Sequence, residues 1–97
     1  MKKHQTIEQQ TTDTAVSSRM ILASRHSDCL RRLSGGAARA GRRDLGLKLI
    51  ELSILIDRMA FELATDERGL AVLARAGRLI GSVERMVADK ERRAVVH

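Results

Sequence analysis

The stretch LGLKLIELSILIDRMAFELA, residues 45–64, is the part of this 97-residue chain that demands burial. Leu45, Leu49, Leu52, Ile56, Met59 and Leu63 follow one another at alternating steps of four and three residues. That rhythm lines them up on one face of a helix with about 3.6 residues per turn. Leu47, Ile54 and Phe61 recur every seven residues on nearly the opposite side. Asp44, Lys48, Glu51, Arg58 and Glu62 fill only a narrow sector between the two. A helix that is apolar on two sides has to be covered on two sides. Either the rest of the chain or a partner must supply that cover.

On the C-terminal side, Thr65, Asp66, Glu67, Arg68 and Gly69 form a short polar connection. Thr65 or Asp66 is placed to cap the next helix, with acids in its first turn where the helix dipole favours them. So short a connection predicts an antiparallel hairpin. The third helix is expected over about 66–92, with Val72, Ala76, Leu79, Val83 and Met86 as its apolar row and Leu73, Ile80 and Val87 beside it. Its period matches that of the central helix, so the two rows are expected to mate, Leu52 and Leu79 among them.

The N-terminal side is lighter. Val16, Met20, Ala23, Ser27 and Leu30 repeat the helical rhythm with small residues where Leu or Ile would give more burial. This predicts a first helix over about 15–34, ended by Ser34, Gly35 and Gly36, since paired glycines readily adopt the left-handed conformation of a helix cap. A helix over about 37–64 follows, locally weakened near Gly41. Residues 1–14 are polar and rich in Gln and Thr, and read as a mobile lead-in. Thr6 with Gln9 three residues on nevertheless fits a capping box and offers an earlier start. The expected architecture is therefore all-α: a single domain of three helices with an antiparallel hairpin, forming a dimeric helical bundle.

Composition agrees with helix-on-helix packing. The chain has one Phe, no Trp or Tyr and no Pro, so its core must come from aliphatic residues and no helix is broken by a missing donor. Cys29 stands alone, which excludes an internal disulfide and suits a reducing compartment. His26 lies three residues before it, but two ligands do not make a metal site, and neither metal nor cofactor is expected. Two lysines near the start precede no apolar segment, and no apolar run approaches the ~20 residues of a membrane span. A soluble, cytoplasmic protein is expected.

Charge is unevenly spread. Residues 31–50 carry six cations against one acid, net +5, and residues 51–70 carry two against five, net −3. Residues 71–97 return to net +3. Arg31, Arg32, Arg39, Arg42 and Arg43 surround a glycine-containing turn, and arginine binds phosphate oxygens bidentately. On the third helix Arg78, Arg85 and Arg92 recur every seven residues, with Arg75 nearby. These are expected to pair with Glu51, Asp57 or Glu62 of the acidic central helix. Gly77 and Gly81, with Ala74 and Ala88, form a small-residue strip that permits close approach of another helix.

No nucleophile elbow, phosphate-binding glycine loop, carboxylate pair or metal cluster is present, so no enzymatic activity is expected. Two functions remain. The first is a small helical adaptor or regulator that binds another protein through exposed helix faces, with Leu47, Ile54, Phe61, Gly77 and Gly81 as interface residues. It is expected to form a homodimer with Phe61 near the contact. The second is a basic helical regulator that touches nucleic-acid phosphates through Arg31, Arg32, Arg39, Arg42 and Arg43 and through Arg78 and Arg85 of the ridge.

Overall fold

The computed structural model describes the backbone of residues 7–96 and the side chains of residues 14–93. Four helices occupy that span: α1 (Ile7–Arg39), α2 (Arg43–Arg58), α3 (Ala60–Thr65) and α4 (Glu67–Val96). Among the described residues there is no strand. The all-α expectation therefore holds, but three expected helices are four: the one expected over 37–64 begins at Arg43 and is interrupted at Met59, whose φ −104° and ψ 14° leave the helical region. The other boundaries differ too. Helix α1 already includes residues 7–14, so the earlier start is the observed one, with the capping candidate Thr6 outside the described residues. At its other end α1 runs straight through Ser34, Gly35 and Gly36 instead of stopping there.

The reason is packing. Ala37 is fully buried, and Gly36 lies against Val87 of α4, whose Cγ1 would be 3.2 Å from an added Cβ. The contacts made by this last turn outweigh the helix-weakening effect of the two glycines. The chain turns instead at Gly41, the described residue with positive φ, +84°. There Arg42 N–H donates to Ala37 O and Gly41 N–H to Ala38 O, at 2.8 and 3.0 Å. This pair of bonds is the Schellman arrangement that satisfies the last carbonyls of a helix.

Helix α1 is the spine on which the other elements pack. Ser27 Oγ donates to Ser53 O at 3.1 Å, and an added Cβ at Gly46 would sit 2.9 Å from Ser34 O. Residue numbers thus fall along α2 as they rise along α1, and the two helices are antiparallel. His26 Nε2 donates to Leu73 O at 3.0 Å, and Gly36 meets Val87 further along. Helix α4 therefore runs parallel to α1. Arg19 Nη1 donates to Ala64 O at 3.2 Å and ties the end of α3 to the N-terminal half of α1.

This topology corrects the expected pairing. The close antiparallel partners are α1 and α2, and no Cα atom of α2 comes within 8 Å of α4. The expected mates Leu52 and Leu79 do not form a buried seam: Leu52 is half-buried and Leu79 is 38% exposed. The small residues that made the first helix look light are what bring it close. Ser27 and Ser34 on α1 meet Ser53 and Gly46 on α2, and Ala23 and Ala37 are buried on the same helix α1. A helix pair lined with such residues can approach closely and share hydrogen bonds between side chain and backbone. Ser53 Oγ completes this network by donating to Ile50 O at 2.7 Å.

The core is a single cluster: Ala23, Leu30 and Ala37 of α1, Leu49 and Ile56 of α2, Leu63 of α3, and Leu73, Ala76, Ile80 and Val83 of α4. On α4 the buried face is thus rotated from the expected row, keeping Ala76 and Val83 but replacing Val72 and Leu79 with Leu73 and Ile80. Of the two expected caps, Asp66 caps α4, its Oδ1 accepting from Arg68 N–H at 2.8 Å, while Thr65 Oγ1 donates back to Phe61 O. The fold measures 68 × 23 × 21 Å, with a radius of gyration of 17.4 Å. About 12–13 Å would describe a compact domain of this length, so the molecule is a rod.

Two glycines predict opposite signs. Gly46→Ala places a methyl group against the backbone of α1, and should destabilise by about 1–3 kcal/mol. Near Gly81 only the mobile end of Arg85 approaches, at 3.8 Å. Gly81→Ala should therefore gain up to about 1 kcal/mol of helix propensity. Urea midpoints measured for both variants check this.

Candidate functional site

With α1 covering one face of α2, two flanks of α2 remain open, and they differ. On the first, Leu47, Ile50 and Ile54 share one side of α2, and Phe61 of α3 continues their line. All four are exposed, Leu47 by 65% and Phe61 by 62%. From Leu47 to Ile54 the row extends about 10 Å at 1.5 Å per residue, with Phe61 beyond the break at Met59. The sequence-derived interface residues Leu47, Ile54 and Phe61 are thus brought into one stripe, which Ile50 strengthens. Glu51, Arg58 and Glu62 border it, all exposed. On the α1 side it is bordered by the Arg31–Asp57 ion pair.

Gly77 and Gly81 lie on α4 and not on this stripe. Gly77 faces α1, where an added Cβ would come within 3.3 Å of His26 Nε2. The helix that approaches Gly77 closely is therefore α1 of the same chain.

The second flank of α2 turns toward α4. Leu45, Leu52 and Met59 recur every seven residues along it, as Val72, Leu79 and Met86 do along the facing edge of α4. Carrying the α1 registers of both helices across sets Leu45 level with Met86, Leu52 with Leu79 and Met59 with Val72, to within a turn. Leu45, Leu52 and Met86 pack against the core from its edge. Met59, Val72 and Leu79 are 38–43% exposed. These edges flank a shared core, in which Leu49 and Ile56 of α2 lie in one buried cluster with Leu73, Ile80 and Val83 of α4. Sequence reasoning identified both rows, but read them as mated with each other.

The arginines divide into tied and free groups. Arg31 donates to Asp28 Oδ1 at 3.0 Å and also bonds Asp57, so it braces α1 against α2. Asp57 is therefore salt-bridged, as expected of it, but to α1 and not to the ridge of α4. Arg32 bonds Cys29 Sγ at 3.1 Å. Arg42 pairs with Asp44 at 3.4 Å, and that hydrogen bond, with one from the Leu45 backbone, holds the Asp44 carboxyl below the usual carboxylate range. Arg92 pairs with Asp89 on its own helix. The expected pairing of the α4 ridge with Glu51 or Glu62 is absent: no ion pair within 4 Å joins Arg75, Arg78 or Arg85 to another described side chain.

Because α4 runs parallel to α1, its C-terminal part lies beside the Gly41 turn. Arg39 and Lys90, with Gly36, Ala40, Val87 and Glu91, line an open cleft of about 280 Å³ there. Lys90 had no signal in the sequence as a neighbour of Arg39, since that proximity depends on the direction of α4. Among the described residues no group of three or more His, Cys, Asp or Glu side chains could hold a metal ion. His26 is engaged by Leu73 O. No described helix is long and apolar enough to cross a membrane. Comparison with known protein families, curated proteins and solved structures finds no match to this chain.

Proposed function

We propose that this chain is a non-enzymatic helical interaction protein, a cytoplasmic adaptor or regulator that works as a homodimer and docks another protein on the α2–α3 stripe. The observation that carries the reading is the exposed row Leu47, Ile50, Ile54 and Phe61 on a helix whose opposite face is already buried. A contiguous apolar row bordered by charge is characteristic of a helix-in-groove or helix-on-helix contact. Its exposed border of Glu51, Arg58 and Glu62 carries two acids against one base, net −1. The complementary partner is an amphipathic helix with a basic flank.

Phe61→Glu tests this. A Leu/Lys amphipathic peptide should bind the unmodified protein, and a Leu/Glu peptide of the same pattern should not. Phe61→Glu should weaken the Leu/Lys peptide at least about tenfold, equivalent to 1.4 kcal/mol, with an unchanged thermal melt because Phe61 is exposed. Equal binding by the variant in a fluorescence titration counts against the stripe.

A second reading is favoured by one observation, the meeting of Arg39 and Lys90 at the Gly41 end of the rod. There the basic 31–50 segment and the basic end of α4 form one surface suited to nucleic-acid phosphates. Replacing Arg39, Arg42 and Arg43 together should leave the melting temperature nearly unchanged, because all three are exposed. On this reading, affinity for random duplex DNA falls equally for all sequences and the salt dependence flattens. Unaltered DNA retention across a salt series argues against it.

A further inference from the structure

The stripe and the Gly41 end leave unassigned the side of α4 that faces away from the core. We infer that this side binds the phosphate backbone of duplex DNA, with Arg75, Arg78 and Arg85 as its contacts. This rests on the nucleic-acid reading above and adds the surface that enters the groove.

The first argument is placement. Leu73, Ala76, Ile80 and Val83 fill one half of α4, and all four are buried. At about 100° per residue, Arg75, Arg78 and Arg85 fall within about 80° of one another on the opposite half. All three are exposed. They span about 15 Å of helix axis. Beside them on that half stand only the short residues Ala71, Ala74, Gly81 and Ser82. The arginines therefore project from a narrow helical ridge. The major groove of B-DNA is wide enough to admit one α-helix, and phosphates line both of its edges.

The second argument is charge. No acid occurs between Arg68 and Val83. Glu67 shares this side of α4 but stands about 12 Å before Arg75 along the axis. Asp89 is engaged by Arg92. Glu84 lies seven residues after Gly77, on the side of α4 that faces α1. Helix α2 joins α4 through the core, on the buried side, so Glu51 stands away from the ridge. Arg75, Arg78 and Arg85 make no ion pair within 4 Å with another described side chain. Three guanidiniums on one exposed line, without a local acid to meet them, complement a polyanion.

The residues between the arginines select which polyanion. Single strands are held by stacking bases on aromatic rings, and the lone aromatic residue, Phe61, belongs to α3. An anionic membrane surface calls for large apolar residues that enter the lipid, where this ridge has Ala, Gly and Ser. Duplex RNA has a major groove too narrow for a helix to enter. Duplex DNA fits on all three counts.

The experiment is fluorescence anisotropy of a labelled random-sequence DNA duplex, titrated with the full chain from low to moderate salt. Replacing Arg75, Arg78 and Arg85 together with Gln should flatten the slope of log affinity against log salt by about 2–3, near 0.9 per lost phosphate contact. The thermal melt should hold, because all three are exposed. The same three positions changed to Lys should keep the slope. Arg78→Gln alone should lower it by about 0.9, which decides the matter if the triple variant is unfolded. A chain that binds no duplex DNA would overturn both this inference and the nucleic-acid reading. A slope lowered by replacing Arg39, Arg42 and Arg43, but not by the α4 variants, would overturn the ridge alone. Equal affinity for duplex RNA of the same sequence would overturn the groove. Displacement of the DNA by polyglutamate at equal charge would overturn the ridge as a DNA site and assign it to an acidic protein.

Discussion

Everything in this fold depends on the close approach of α1 and α2. Ser27 bonded to Ser53 O, and Gly46 set against Ser34 O, place the two helices nearer than Leu-rich faces would allow. Small residues bury little apolar area each, so such a pair gains less from transfer out of water than a leucine seam does. It gains instead from dense contact and from hydrogen bonds that are shielded from solvent. Among the described residues no buried side-chain nitrogen or oxygen lacks a partner. The serines therefore enter the interior without the penalty of unmet polar atoms.

The same contact determines what stays exposed. The face that α2 gives to α1 carries Gly46 and Ser53, so the larger residues Leu47, Ile50, Ile54, Leu55 and Met59 are left toward the edges and outside. Helix α4 binds α1 on a separate face, through His26 and Gly36, and is not drawn up against α2. One spine that holds both helices leaves the outer stripe of α2 and the Val72 and Leu79 edge of α4 exposed. A chain of this size closing around a single central seam would have left neither.

Much of this was legible from residue spacing, and the exceptions have physical causes. The burial of Leu49, Ile56 and Leu63, the exposure of Leu47, Ile54 and Phe61, the cap at Asp66 and the ion pair at Asp57 all follow from position on a helix and local chemistry. What spacing does not give is the partner of each face. The central and last helices share a seven-residue rhythm, yet that rhythm reports only that each has an apolar edge. Ala23, Ser27, Ser34 and Ala37 looked like a weak face under a measure of hydrophobicity, because that measure ignores how near two backbones can come. The glycines misled for a related reason. Gly35 and Gly36 resemble a cap, but Gly36 is used for its missing side chain beside Val87, and Gly41 is used for its conformation.

The placement of charge follows the same division between the interior of one chain and its exterior. Arg31 on α1 is engaged by Asp28 and by Asp57 of α2, bracing the contact on which the fold depends. Arg75, Arg78 and Arg85 lie on α4 and make no ion pair within 4 Å with another described side chain. Exposed ion pairs contribute little to stability, so leaving these arginines unmatched costs the monomer almost nothing. An unmatched surface charge does restrict what can lie against it, because a like charge brought there would be desolvated without a partner.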